Sequence, residues 1–160
     1  MTLTKKEKTI GMVLAFLLLL LTLSGSWYFF TELKVSLLQW AIFNACSPSS
    51  LVYLLCFLLF IWKKKAVLLP LALLPMYYFG TMGMFTFGWS GANIFAQMSH
   101  IVMTLNIVWV IYLFVKNANY QAFAKGLLWS ILLFVPYIAY VMYYCRIHAE
   151  DVSKLLQING

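Results

Sequence analysis

Charge is what this sequence most conspicuously lacks. Only 9% of its 160 residues are charged, and four of those are acidic. A soluble domain carries roughly a quarter charged residues. With 64% hydrophobic residues, the chain has more apolar surface than a water-facing globule can hide. The surplus must face a solvent as apolar as itself, so the expected partner is the lipid bilayer. A hydrocarbon core about 30 Å thick takes about 20 apolar residues per helix, which gives this length room for four to six spans.

The other scarcities narrow the chemistry. Glu7, Glu32, Glu150 and Asp151 all fall outside the apolar runs, so the spans carry no carboxylate for proton-coupled transport or lipid phosphotransfer. There are two histidines, His100 and His148, too few for a zinc site, which needs three or four ligands. The three cysteines form no C-x-x-C, which argues against a thiol oxidoreductase. No G-x-S-x-G is present. Ser99 adjoins His100, but helix neighbours point about 100° apart and make no catalytic dyad. Arginine occurs once against ten lysines. The basic residues punctuate apolar runs without an aromatic-interleaved stripe, so nucleic acid is not an expected partner. No metal and no cofactor are expected.

What is present reads as an all-α integral membrane bundle of about five transmembrane helices in a single membrane domain. The expected spans are residues 10–30, 48–62, 66–87, 93–115 and 126–145. Lys5, Lys6 and Lys8 precede the first. That start, a Leu-rich run and Ser24-Gly25-Ser26 together resemble a secretory signal. The apolar run continues through Trp27, Tyr28, Phe29 and Phe30, so a retained helix is expected. Residues 35–45 are too short to cross and suit a short interfacial helix with Trp40 at the headgroups. Ser47-Pro48 reads as a helix start. The second span then either snorkels its ends through Lys63, Lys64 and Lys65 or begins near Leu38 and kinks at Pro48. The third contains Pro70, Pro75, Gly80 and Gly83, the composition of close helix packing or of a broken helix lining a cavity. Gly88 to Ala92 read as a tight turn, residues 116–125 as a polar loop and 146–160 as a polar tail.

Five spans sort the charges. Eight lysines and Glu7 fall on one side; Glu32, Lys34, Arg146, Glu150, Asp151 and Lys154 fall on the other and sum to zero. Basic residues gather on the cytoplasmic side, so the expected orientation is N-in and C-out, in a bacterial inner (plasma) membrane. Cys46 and Cys145 then sit at the outer surface as a possible disulfide pair.

The fourth span is the informative one. Asn93, Gln97, His100 and Thr104 are spaced by four, three and four, which sets them on one helix face. Ser99 and Asn106 share an adjacent face. In hydrocarbon each polar group needs a partner, so this face should turn inward. It serves either as interhelical glue or, with Tyr137 and Tyr140 of the fifth span, as the lining of a ligand site. Tyr137, Tyr140 and Tyr144 share a face and are expected to meet it. The functional expectation is a non-catalytic membrane component: an accessory subunit of other membrane proteins, or a carrier or binding protein for an uncharged or amphipathic small molecule. The alternative is a membrane-embedded enzyme or haem/redox protein centred on His100, with Met98, Met103 or Met142 as a second axial ligand.

Overall fold

The computed structural model describes residues 1–85, 89 and 93–150. Those residues are almost wholly helical and include five stretches long and apolar enough to cross a membrane. The first is α1, Lys5–Thr31. It begins a turn earlier than the apolar run because Thr4 and Glu7 form a capping box. The Glu7 N–H donates to Thr4 Oγ1 at 3.3 Å, and the Thr4 N–H donates to Glu7 Oε2 at 2.7 Å. A second box, Ser36 with Gln39, starts α2, Leu37–Phe43. Trp40 is buried against Phe30, ring centroids 5.5 Å apart, while Leu37 and Leu38 are the exposed residues of this helix.

The chain breaks at Asn44 and resumes as α3, Cys46–Lys63. This helix starts two residues before Pro48, and its N-cap, Ala45, contributes no side-chain bond. Pro48 is tolerated because the first four N–H groups of a helix have no intrahelical partner. At 1.5 Å per residue, the 18 residues of α3 span about 27 Å.

The third span, Ala66–Phe85, is not a regular α-helix. It runs through 3-10 turns at Ala66–Leu68 and Pro70–Ala72, one α turn, α4, Leu73–Met76, a π segment, Tyr77–Thr81, and a final 3-10 turn, Met82–Phe85. Pro70 and Pro75 each remove a backbone donor, so the ladder changes pitch around them. The expected turn at Gly88 to Ala92 lies, apart from Trp89, outside the described residues. Two long helices follow, α5, Asn93–Lys116, and α6, Tyr120–Ile147, the latter continuous through an interior proline, Pro136. The polar loop between them shrinks to a three-residue turn around Ala118, whose φ is 49°. Residues 151–160 of the polar tail lie outside the described residues.

Helix α5 is the hub, packed on α1 along one side and on the π segment along the other. Its buried Met103, Ile107, Trp109, Val110, Leu113 and Phe114 share a core with Leu18, Tyr53, Phe57 and Phe60. The outer faces of α1 and α6 stay covered with exposed apolar side chains such as Phe16, Leu23, Leu132 and Val135, as lipid contact requires.

An ion pair between Glu7 and Lys116 ties the start of α1 to the end of α5. Those two helices therefore run antiparallel, and the lysine-rich segments gather at one end of the bundle. At the opposite end α2 meets α6, where Phe43 packs on Tyr144 and Ile42, Ala45 and Val141 form one small buried cluster.

Candidate functional site

The polar face of α5 is turned into the bundle against the last two turns of the third span. Gln97 is fully buried and His100 is 3% exposed. The Gln97 side-chain amide donates to the Met84 carbonyl at 3.3 Å. Thr104 Oγ1 donates to the His100 carbonyl at 2.9 Å and lies 2.9 Å from Thr81 Oγ1. A Thr hydroxyl has one proton and two lone pairs, so Thr104 donates along its own helix and accepts from Thr81.

Two glycines explain the closeness of this contact. A Cβ placed on Gly83 would lie 2.7 Å from the His100 ring, and one placed on Gly80 would lie 2.8 Å from the end of Met103. Gly80 and Gly83 are three apart, as are His100 and Met103. Two side chains of α5 thus seat in two notches of the irregular span. The expected close approach at these glycines is made by neighbouring side chains rather than by a neighbouring backbone.

Of the residues expected at a ligand site, the structure brings Gln97, His100 and Thr104 together. Asn93 opens the same helix, but its side chain lies outside the described residues. Tyr137 lies elsewhere. Its hydroxyl donates to the Ala41 carbonyl of α2 at 2.6 Å, and its ring packs edge-on against Phe79 at 5.7 Å. Tyr140 is 47% exposed, and its ring lies 6.2 Å from that of Tyr144. Tyr137 thus meets α2 and the π segment, Tyr144 packs on Phe43 of α2, and Tyr140 rests on Tyr144. Cys46 and Cys145 are both free thiols at the α2 end of the bundle, and the Cys46 thiol donates to Asn44 Oδ1 at 2.9 Å. Asn106, on the adjacent face of α5, donates to the carbonyls of Val102 at 2.8 Å and Leu14 at 3.4 Å, stitching α5 to α1.

A further polar contact joins α6 to the third span. Ser130 of α6 is fully buried, and its Oγ accepts the Leu74 N–H at 3.3 Å. One turn earlier on the same face, Gly126 lets α6 come down onto the third span. A Cβ there would stand 2.5 Å from the Val67 carbonyl and 3.0 Å from Pro70. Gly126 and Ser130 form a small-x-x-x-small pair, a membrane-helix packing signal that was available in the primary structure.

Among the described residues, no three His, Cys, Asp or Glu side chains come together as a metal site. No family model, no curated protein and no solved structure matches the chain.

Proposed function

We propose that the chain is a non-catalytic membrane component, either an accessory subunit or a carrier or binding protein for an uncharged or amphipathic small molecule. Its working part is the junction between α5 and the π segment. The observation that carries this reading is the seating of Gln97, His100 and Thr104 against an irregular backbone. A π segment inside a membrane helix costs hydrogen-bond regularity, and such segments recur at functional positions. Irregular backbone at membrane depth is tolerated where protein or a water-filled cavity surrounds it. Polar side chains gathered there would hold a neutral ligand by hydrogen bonds and leave a charged one poorly solvated. The bundle sits in a bacterial inner membrane with its lysine-rich end in the cytoplasm and the α2 end outside, where Cys46 and Cys145 would meet an oxidising compartment.

The test is compositional. The full chain is purified in mild detergent, and whatever accompanies it is identified by mass spectrometry. A neutral or amphipathic molecule retained by the wild type and lost from Gln97→Ala, with the helical circular dichroism unchanged, supports a binding protein. A stoichiometric protein partner supports an accessory subunit. A Soret band in the absorbance spectrum overturns both in favour of haem at His100, which would require that imidazole to leave its notch at Gly83. Reporter fusions test the orientation, and termini found in one compartment would overturn it.

A further inference from the structure

A second feature lies at the lysine-rich end, away from the π segment. Between α1 and α5 runs a half-open groove of about 630 Å³, within the size range of small-molecule sites. Its walls are two stripes of side chains at helical spacing. On α1 the stripe is Lys6, Ile10 and Leu14, each four residues after the last. On α5, read back from the helix end, it is Lys116, Tyr112, Val108 and Leu105. Each stripe starts with a cation at the rim and continues as apolar surface. From Lys116 back to Leu105 is eleven residues, or about 16 Å at 1.5 Å per residue. Ile10, Leu105 and Val108 are each about half exposed, so the groove opens sideways toward lipid. Gly11 allows its depth, because the Trp109 ring lies directly on that glycine.

The rim decides the occupant. Glu7 is its one acid, and its carboxylate is 6% exposed, held by Lys116 Nζ and by the Thr4 N–H. The charge the rim presents outward is therefore cationic. Lys6 is exposed, and the Lys116 side chain remains 46% exposed despite its ion pair. Six further lysines, Lys5, Lys8, Lys63, Lys64, Lys65 and Lys125, belong to the same end of the fold. Below the cations the apolar track from Tyr112 to Leu105 runs about 10 Å, about two-thirds of a hydrocarbon leaflet, and this pairing of rim and track fits a molecule with an anionic head and a hydrocarbon tail.

We infer that the α1–α5 groove is a binding site for one anionic phospholipid, with its phosphate at Lys6 and Lys116 and an acyl chain laid along Ile10, Leu14, Val108 and Leu105. The site needs no assumption about the π-segment junction.

The experiment uses the full chain in detergent, titrated separately with phosphatidylglycerol, with phosphatidylcholine of the same acyl chains, and with inorganic phosphate. Retention is read by native mass spectrometry and thermal stability by tryptophan fluorescence. The expected result is one retained phosphatidylglycerol and a rise in Tm of several degrees, with neither from phosphatidylcholine or phosphate. Lys6→Gln, at an exposed position that leaves the fold untouched, should weaken retention about tenfold. Lys64→Gln, at the same end but outside the groove, should leave it unchanged. Val108→Trp should block the track. Equal retention of phosphatidylcholine, or equal loss from Lys6→Gln and Lys64→Gln, would overturn the site in favour of unspecific attraction to a basic surface.

Discussion

The first and third spans solve the same problem in opposite ways. Helix α1 has no interior proline, carries a capping box and satisfies its backbone from within. Its contacts with α5, at Glu7, Gly11 and Leu14, hold it in place without repairing its ladder, and it leaves most of its surface to lipid. The third span, interrupted by Pro70 and Pro75, changes pitch along its length and depends on side chains of α5 and α6. Ser130 takes the Leu74 N–H, Gln97 reaches the Met84 carbonyl, and Thr104 meets Thr81. The lesson concerns polar residues in membrane helices. Two of those, Gln97 on α5 and Ser130 on α6, bond directly to the backbone of the broken span next door. Their positions are set by where that backbone departs from the α pitch.

The comparison breaks most severely at Gly126. Its added methyl would meet the Val67 carbonyl at 2.5 Å, and a backbone atom has nowhere to rotate. Gly126→Ala should therefore lower stability by about 1–3 kcal/mol, the usual cost of overpacking, read as a fall in Tm of the purified protein. A Tm equal to wild type would mean that α6 does not rest on the 3-10 turn.

Ser130→Ala should come next. It leaves the small-residue contact intact but strips the acceptor from Leu74. An unmet donor in an apolar setting costs about 1–2 kcal/mol, reduced where the membrane-bound reference state finds other partners. Hydrogen exchange at Leu74 should rise in the variant. Unchanged exchange there would show that the third span closes its own ladder.

Gly80→Ala should be milder. The atoms its methyl would meet all belong to Met103, the Cε and Sδ at 2.8 Å and the Cβ at 3.0 Å, so the Cβ must give by a few tenths of an ångström while the end of the side chain moves. A thioether end is flexible and can swing aside. A loss below about 1 kcal/mol is expected, within the tolerance of conservative core changes. A loss as large as that of Gly126→Ala would mean that Met103 is locked by its surroundings.

These contrasts also explain what could be read in advance. The five apolar runs, their number and the inward turn of Gln97, His100 and Thr104 were legible because composition and the i, i+3, i+4 pattern are local. Two helix starts carry a local signature, the capping boxes Thr4-x-x-Glu7 and Ser36-x-x-Gln39, whereas α3 and α6 begin without a side-chain cap and leave none to read. The pitch changes of the third span were only half legible, since proline marks a disturbance without saying which ladder replaces the α one. The partners of Tyr137 were not legible. Ala41 is 96 residues away, and nothing local assigns the α6 tyrosines to α2 rather than to α5.

The smallest effect belongs to the regular span and is the sharpest control. Gly25 lies inside α1, facing the start of α3. A methyl group there would sit 3.9 Å from Asn44 Nδ2 and from Ser47 Oγ, ordinary van der Waals distance. Glycine within a helix costs roughly 0.5–1 kcal/mol relative to alanine, because it loses more backbone freedom on folding. At Gly25, unlike at Gly11 on the same helix, no close contact offsets that cost, so Gly25→Ala should leave Tm unchanged or raise it by a degree or two. The same substitution thus carries opposite signs at Gly25 and Gly126, and the sign is set by whether the facing atom is a distant side chain or a neighbouring backbone carbonyl. A marked fall in Tm for Gly25→Ala would mean that α1 is held by its neighbours as tightly as the third span, and the contrast between the two would disappear.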